Sequence, residues 1–188
     1  MFSKKDFIYR KRSAYSQEGC DHAIKFFEKR VDLHKEGSFG DLPPDHEIKK
    51  CTEIYLKRNE YTLFEDVLQG CLKDYIKMYP SSEEVDRWDL SLNFKLQRYK
   101  PNEGYFGEHC ENCGIRHSLY RVLAWMVYLN DVTDGGYTVF PNQNRKFRPR
   151  RGDILVWPAY FTHTHYGVTS KTQMKYIATG WCSVVTKE

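Results

Sequence analysis

The sequence predicts an α+β domain, mostly β in its second half, and three observations carry that expectation. Two segments in the first ninety residues repeat apolar side chains at helical spacing. From about residue 91 the apolar period changes from 3.6 to 2, and clusters of Gly, Asp, Asn and Pro separate the period-2 runs. Two helices followed by a run of strands fit helices packed on the outside of a sandwich or barrel.

In chain order, "SQEGCDHAIKFFEKRVDL" opens on Ser16 as a cap candidate, and Cys20, Ile24, Phe27 and Val31 recur at helical spacing. After a Gly/Pro-rich loop at 37–45, "TLFEDVLQGCLKDYIKMYP" sets Leu63, Val67, Cys71, Leu72, Tyr75, Ile76 and Tyr79 on one stripe that ends at Pro80. Burial explains that stripe, so Cys71 receives no ligand role. The segments "NFKLQRY", "RVLAWMVYLN", "GDILVWP" and "MKYIATGWCSVV" are short and rich in β-branched and aromatic residues, and each predicts a strand. "GGYT" at 135–138 predicts a tight turn, with glycine supplying backbone freedom. A chain of 188 residues without a dividing linker reads as one domain, with helical support over 1–90 and a β core over 91–185.

Composition excludes several classes. With 40% hydrophobic and 15% aromatic residues the chain is not a disordered one. The net charge of +4 is small and its basic residues are scattered, apart from "KKDFIYRKR" and "RKFRPRR", so nucleic acid is a disfavoured partner. No apolar run approaches the roughly 20 residues that cross a bilayer, and "MFSKKDFIYRKR" is too charged for a signal peptide. Those two absences predict a cytoplasmic protein without a membrane partner. They also predict reduced thiols at cysteines 20, 51, 71, 110, 113 and 182.

Chemistry concentrates in "GEHCENCGIRH", residues 107–117. One reading closes a zinc knuckle from His109, Cys110, Cys113 and His117, making the protein a zinc-stabilised binding module; the objection is that structural zinc sites draw ligand pairs from separate segments. The other notes that His109 and Glu111 flank one residue, so on an extended backbone both point to one face. A third ligand would then come from His163 or His165, just after "GDILVWP". Two histidines and a carboxylate form the facial triad of non-haem Fe(II) oxygenases, which leaves coordination positions open.

The run from "QRYKPNEGYFGEHCE" through "RVLAWMVYLNDVTDGGYTVFP" to "GDILVWPAYFTHTHYGVTSKTQMKYIATGW" resembles the catalytic core of 2-oxoglutarate/Fe(II)-dependent oxygenases of the prolyl-4-hydroxylase type, over about residues 92–183. The resemblance implies a double-stranded β-helix, a jelly-roll with the N-terminal helices outside. It implies His109, Glu111 and His165 as iron ligands, with His163 the rival of His165. Lys175, ten residues beyond His165, would pair with the distal carboxylate of 2-oxoglutarate, and Tyr128 and Tyr99 would line the same pocket. Alternation agrees, because Lys175, Ile177, Thr179 and Trp181 share one face of their strand. The family usually has H-x-D where this chain has His-Cys-Glu, a carboxylate longer by one methylene; an acid there argues against halogenase chemistry. The implied cofactors are Fe(II) and 2-oxoglutarate with O₂ as co-substrate, and ascorbate is compatible with them. The implied activity is a dioxygenase hydroxylating an unactivated C–H bond, on a prolyl or other residue of a peptide or protein. A small-molecule hydroxylase of the same fold stays open as an alternative. Loop 100–108 and segment 112–120 are expected to border the entrance.

Overall fold

The computed structural model describes residues 5–38, 42–114 and 118–185. Strand β1 (Tyr9–Lys11) precedes helix α1 (Gln17–Lys29), where the Ser16 hydroxyl accepts from the Gly19 N–H at 3.0 Å as the expected cap. Cys20, Ala23 and Phe27 are buried from α1, whereas Val31 lies past its end and is 66% exposed. Three short strands follow: β2 (Lys35–Glu36), β3 (Lys49–Lys50) and β4 (Thr52–Lys57). Helix α2 (Glu65–Met78) buries Leu68, Cys71, Leu72 and Tyr75, and Leu63 stays exposed because it lies before the first turn. The predicted long strands are β5 (Trp88–Tyr99), β7 (Arg121–Tyr128), β10 (Ile154–Pro158) and β12 (Lys175–Val184). Short strands β6 (Gly104–Tyr105), β8 (Thr138–Phe140), β9 (Arg145–Phe147) and β11 (Tyr166–Gly167) complete the order.

A seven-stranded sheet runs β1-β10-β7-β12-β5-β4-β2, and a three-stranded sheet runs β11-β8-β9, every pair antiparallel. The first ninety residues therefore do more than supply helices, since β1, β2 and β4 join the large sheet. These strands escaped the sequence reading for a physical reason: β1 and β2 are two or three residues long, and β4 alternates with a charged residue on one face. In β4, Ile54 and Leu56 are buried in the core that carries α1 and α2, while Glu53 points to the opposite side of the sheet.

The large sheet thus has two different faces. One packs its Leu96, Leu123, Val127 and Ile154 with Phe27 of α1 and Leu68 and Tyr75 of α2. The other carries Met126, Tyr128, Leu155, Trp157 and Ile177, against which the small sheet sets Phe140 and Phe147. Burying each such side chain stabilises the fold by roughly 1.5–3 kcal/mol, and two sheets facing each other across this second core form a jelly-roll. The turn at 135–138 behaves as expected: Gly136 has φ +71°, and a Cβ at Gly135 would lie 2.1 Å from the Thr169 carbonyl oxygen. Among the described residues no helix is long and apolar enough to cross a membrane.

Candidate active site

His109 and His165 face each other as an isolated antiparallel bridge, His109 N–H donating to His165 O at 3.0 Å and His165 N–H to His109 O at 2.8 Å. Each imidazole then commits its Nδ1 to a carbonyl, His109 to Gly107 O at 2.9 Å and His165 to His163 O at 3.1 Å. A carbonyl only accepts, so Nδ1 carries the hydrogen and Nε2 keeps a lone pair. Both Nε2 atoms turn toward Glu111, lying 3.7 Å (His109) and 3.5 Å (His165) from its Oε1. Two donors that share an ion at about 2.0–2.2 Å each must lie within about 4.4 Å of one another, and both separations meet that limit. Among the described residues this trio is the group of His, Cys, Asp and Glu able to hold a metal ion.

The surroundings hold the trio in shape. Tyr105 stacks on His109 at 3.6 Å with an 11° angle between planes. The Trp181 indole N–H donates to Glu111 Oε2 at 2.7 Å, Arg121 donates to the Glu111 backbone carbonyl at 2.9 Å, and its guanidinium lies 3.7 Å from the Trp181 ring centre. Burial opposes charge on Glu111, but in the metal-free protein the two imidazoles, when protonated at Nε2, overcome it by hydrogen bonding and charge and keep its carboxyl well below the usual range. Burial, with His165 beside it, pushes the His109 pKa down, favouring the neutral ligand form.

The competing assignments separate here. His163 gives Nε2–H to Asp6 O at 2.9 Å and accepts at Nδ1 from the Thr162 hydroxyl at 2.9 Å, so both ring nitrogens are engaged away from the trio. The Cys110 thiol donates to Asn112 O at 3.2 Å, and Cys113 Sγ lies 3.3 Å from Ser118 Oγ. Neither thiol joins the metal-competent group, and His117 lies outside the described residues. The basic run 145–151 is used within the fold: Arg145 pairs with Asp6, Arg148 with the Tyr137 hydroxyl and Arg151 with Asp21.

Lys175 lines the same cleft. It is 7% exposed, its ammonium lies 5.4 Å from the Tyr99 ring centre and 5.7 Å from that of Tyr128, and among the described residues no carboxylate pairs with it. Burial pushes its pKa down to about 8. A buried cation without a counter-ion is costly, so the position suits an incoming carboxylate. The Tyr128 hydroxyl donates to Thr138 Oγ1 at 2.7 Å and the Tyr99 hydroxyl to Gln97 Oε1 at 3.1 Å. The trio and Lys175 border one cleft of about 1230 Å³.

Sequence reasoning missed Tyr105, Arg121 and the hydrogen bond from Trp181. Trp181 had a signal, since it shares the alternation of Lys175; the other two stand at strand ends, Tyr105 closing β6 and Arg121 opening β7, where alternation gives no sign of the partner. It also missed Glu53, fully buried, which accepts from Lys49 at 2.7 Å, Lys95 at 3.2 Å and Gln97 at 2.8 Å.

Residues 94–183 match the family model described as the 2OG-Fe(II) oxygenase superfamily. A relative from Acanthamoeba polyphaga mimivirus named "Putative prolyl 4-hydroxylase" is 24% identical over 154 residues, 73% of this chain and 59% of its own length. The chain spans about half the length of the relatives it matches. The viral collagen prolyl hydroxylase of Paramecium Bursaria Chlorella virus-1, solved with 2-oxoglutarate, superposes with a TM-score of 0.71 at 19% identity over 96% of this chain and 97% of its own. A Trichoplax adhaerens prolyl hydroxylase, solved with a peptide fragment of the hypoxia inducible factor oxygen degradation domain, superposes at 0.72 with 14% identity, over 96% and 84%. These neighbours share the double-stranded β-helix fold. Over residues 94–183, which hold most of its strands, this chain is thus similar to the 2OG-Fe(II) oxygenase superfamily.

Proposed function

We propose that this chain is a 2-oxoglutarate-dependent dioxygenase that hydroxylates a prolyl or other residue of a peptide. The observation that carries the reading is the convergence of His109 Nε2, His165 Nε2 and Glu111 Oε1 on a cleft also lined by the Lys175 ammonium, which no carboxylate of the described residues pairs. The peptide assignment is supported by the names of the relatives and by the peptide bound to the Trichoplax neighbour.

In this reading His109, Glu111 and His165 hold Fe(II), and Lys175 takes the distal carboxylate of 2-oxoglutarate. When bound, iron with 2-oxoglutarate and O₂ supplies the oxidising chemistry that places a hydroxyl on an unactivated carbon, with succinate and CO₂ released. The chain's own work is positioning. Nδ1 hydrogen bonds to Gly107 and His163 hold the imidazoles with their lone pairs inward. Trp181 and Arg121 take up the extra length of Glu111, so that one oxygen is anchored and the other faces the histidines. Three protein donors leave positions free for other ligands. Lys175 fixes the far end of the co-substrate, and Tyr99 and Tyr128, whose hydroxyl hydrogens can rotate, wall the space around it.

Anaerobic titration of metal-free protein with Fe(II) and 2-oxoglutarate tests the reading. A weak visible charge-transfer band at about 500 nm is expected for iron with this donor set and open positions, followed by succinate formation when O₂ and a proline-containing peptide are added. Absence of the band, with tight zinc binding and loss of thiol reactivity, would overturn it in favour of a cysteine-held zinc.

A further inference from the structure

We infer that the cleft contains a second anion-binding position, formed by the Lys95 ammonium with Lys49 beside it, which takes a carboxylate of the peptide substrate; this rests on the peptide-hydroxylase reading above. The position grows from the charge count around Glu53. That carboxylate is 0% exposed, and it receives two ammoniums, Lys49 at 2.7 Å and Lys95 at 3.2 Å, so among the described residues the cluster carries one surplus positive charge. The surplus faces the cleft: Lys49 and Lys95, although buried, line it, whereas Glu53 does not.

The two lysines are not equivalent. Lys49 also donates to the Ser38 carbonyl at 3.2 Å, while the hydrogen bond of Lys95 among the described residues goes to Glu53, with its head 4.4 Å from the Tyr55 ring centre. An ammonium has three donors, so Lys95 keeps capacity for a further acceptor. One lysine would neutralise Glu53; the second is desolvated against a shared carboxylate, a cost that an arriving carboxylate offsets. Of the other cations of the cleft, Arg121 is committed to Glu111 and Trp181 and Lys175 to the co-substrate end, while Lys100 is exposed to solvent. The bordering acids are also held, Asp89 accepting from Gln69 at 3.0 Å and Glu103 from the Lys100 N–H at 2.9 Å.

Register places this charge on the substrate side. Lys95 lies opposite Thr179 on β12, two residues from Trp181, which holds Glu111, and four residues along β5 from Tyr99 opposite Lys175. One strand spacing, about 4.8 Å, separates it from β12. Exposed Leu42, Tyr120 and Val168 border the same cleft and offer apolar contact to a chain lying across it.

The test incubates the holoenzyme, loaded with Fe(II) and 2-oxoglutarate without O₂, with short peptides of randomised sequence around a fixed proline. Retained peptides are sequenced, and the readout is the ratio of Asp and Glu to Asn and Gln at each position. The expected ratio is about tenfold at one position, the scale of one charge-assisted hydrogen bond. Lys95→Met removes it and Lys95→Arg keeps it; a lower folded fraction cancels in the ratio. Should Lys95→Met fail to fold, the wild-type ratio must still fall as salt is raised. A wild-type ratio near one, or one indifferent to salt or to Lys95→Met, overturns this inference and leaves the hydroxylase reading standing. Retention of no peptide at all, with 2-oxoglutarate bound, overturns the peptide reading itself.

Discussion

The Trp181 indole N–H donates to Glu111 Oε2 at 2.7 Å, so the oxygen left to face the imidazoles is Oε1, 3.5 Å from His165 Nε2 and 3.7 Å from His109 Nε2. Groups that orient a metal ligand from behind are worth about 10- to 100-fold in metal affinity. Trp181→Phe keeps the ring and removes the donor, so Fe(II) affinity is expected to drop by about that factor with little change in melting temperature. Anaerobic Fe(II) titration of the two proteins checks it; equal affinities would show that the indole does not hold the carboxylate.

The thiols and the carboxylate make opposite demands. Cys110 and Cys113 bond within their own loop, whereas Glu111 belongs to the trio. The double change of Cys110 and Cys113 to Ser is expected to leave the fold and Fe(II) binding intact, and Glu111→Gln to abolish Fe(II) binding in a protein that still folds. Circular dichroism beside metal titration decides, and unfolding of the double serine variant with metal loss would reinstate a zinc knuckle.

Lys175 has its pKa pushed down to about 8 by burial, from 10.5. The unfolded chain therefore holds this proton longer, and between about pH 8 and 10.5 the stability contribution of the group rises with pH. Co-substrate binding runs the other way, because a carboxylate needs the ammonium. We expect 2-oxoglutarate affinity to weaken as pH climbs past about 8, and Lys175→Met to weaken it at neutral pH by at least about tenfold while removing that pH dependence. Calorimetric titration between neutral and alkaline pH measures both; a flat profile for the wild type would separate Lys175 from the co-substrate.

Glu53 is buried, which by itself would raise its pKa, but Lys95 and Lys49 overcome the burial and hold the carboxyl down at about 2 against an ordinary 4.5. A depressed carboxylate stabilises the fold fully above its unfolded pKa, so this contribution fades as pH falls from about 4.5 toward about 2. Glu53→Ala strands two buried ammoniums and is expected to cost about 3–5 kcal/mol, read by urea denaturation at neutral pH. A loss under about 1 kcal/mol, the value of an exposed pair, would mean that water already reaches the cluster.

Much of this was legible from residues alone. Ser16 and the stripe through Cys71, Leu72 and Tyr75 announce the helices, and alternation through Lys175, Ile177 and Thr179 gives the face of β12 that looks into the cleft. The pair His109 and Glu111 could be read from spacing. Strand β4 could not be read with equal ease, because its polar face carries Glu53, whose burial makes sense only once Lys49 and Lys95 stand beside it.

By itself the sequence determined where backbone periods of 3.6 and 2 run and which titratable residues stand near one another along the chain, because hydrogen-bonded helices and strands impose those periods on burial wherever they pack. Only the tertiary structure brought His165 rather than His163 beside His109 and Glu111, anchored Glu111 on Trp181 and, among the described residues, set no carboxylate against Lys175. The reason is physical: each of these depends on which atom a partner many residues away offers within hydrogen-bond reach, and neighbours of identical type, two residues apart, differ in nothing else.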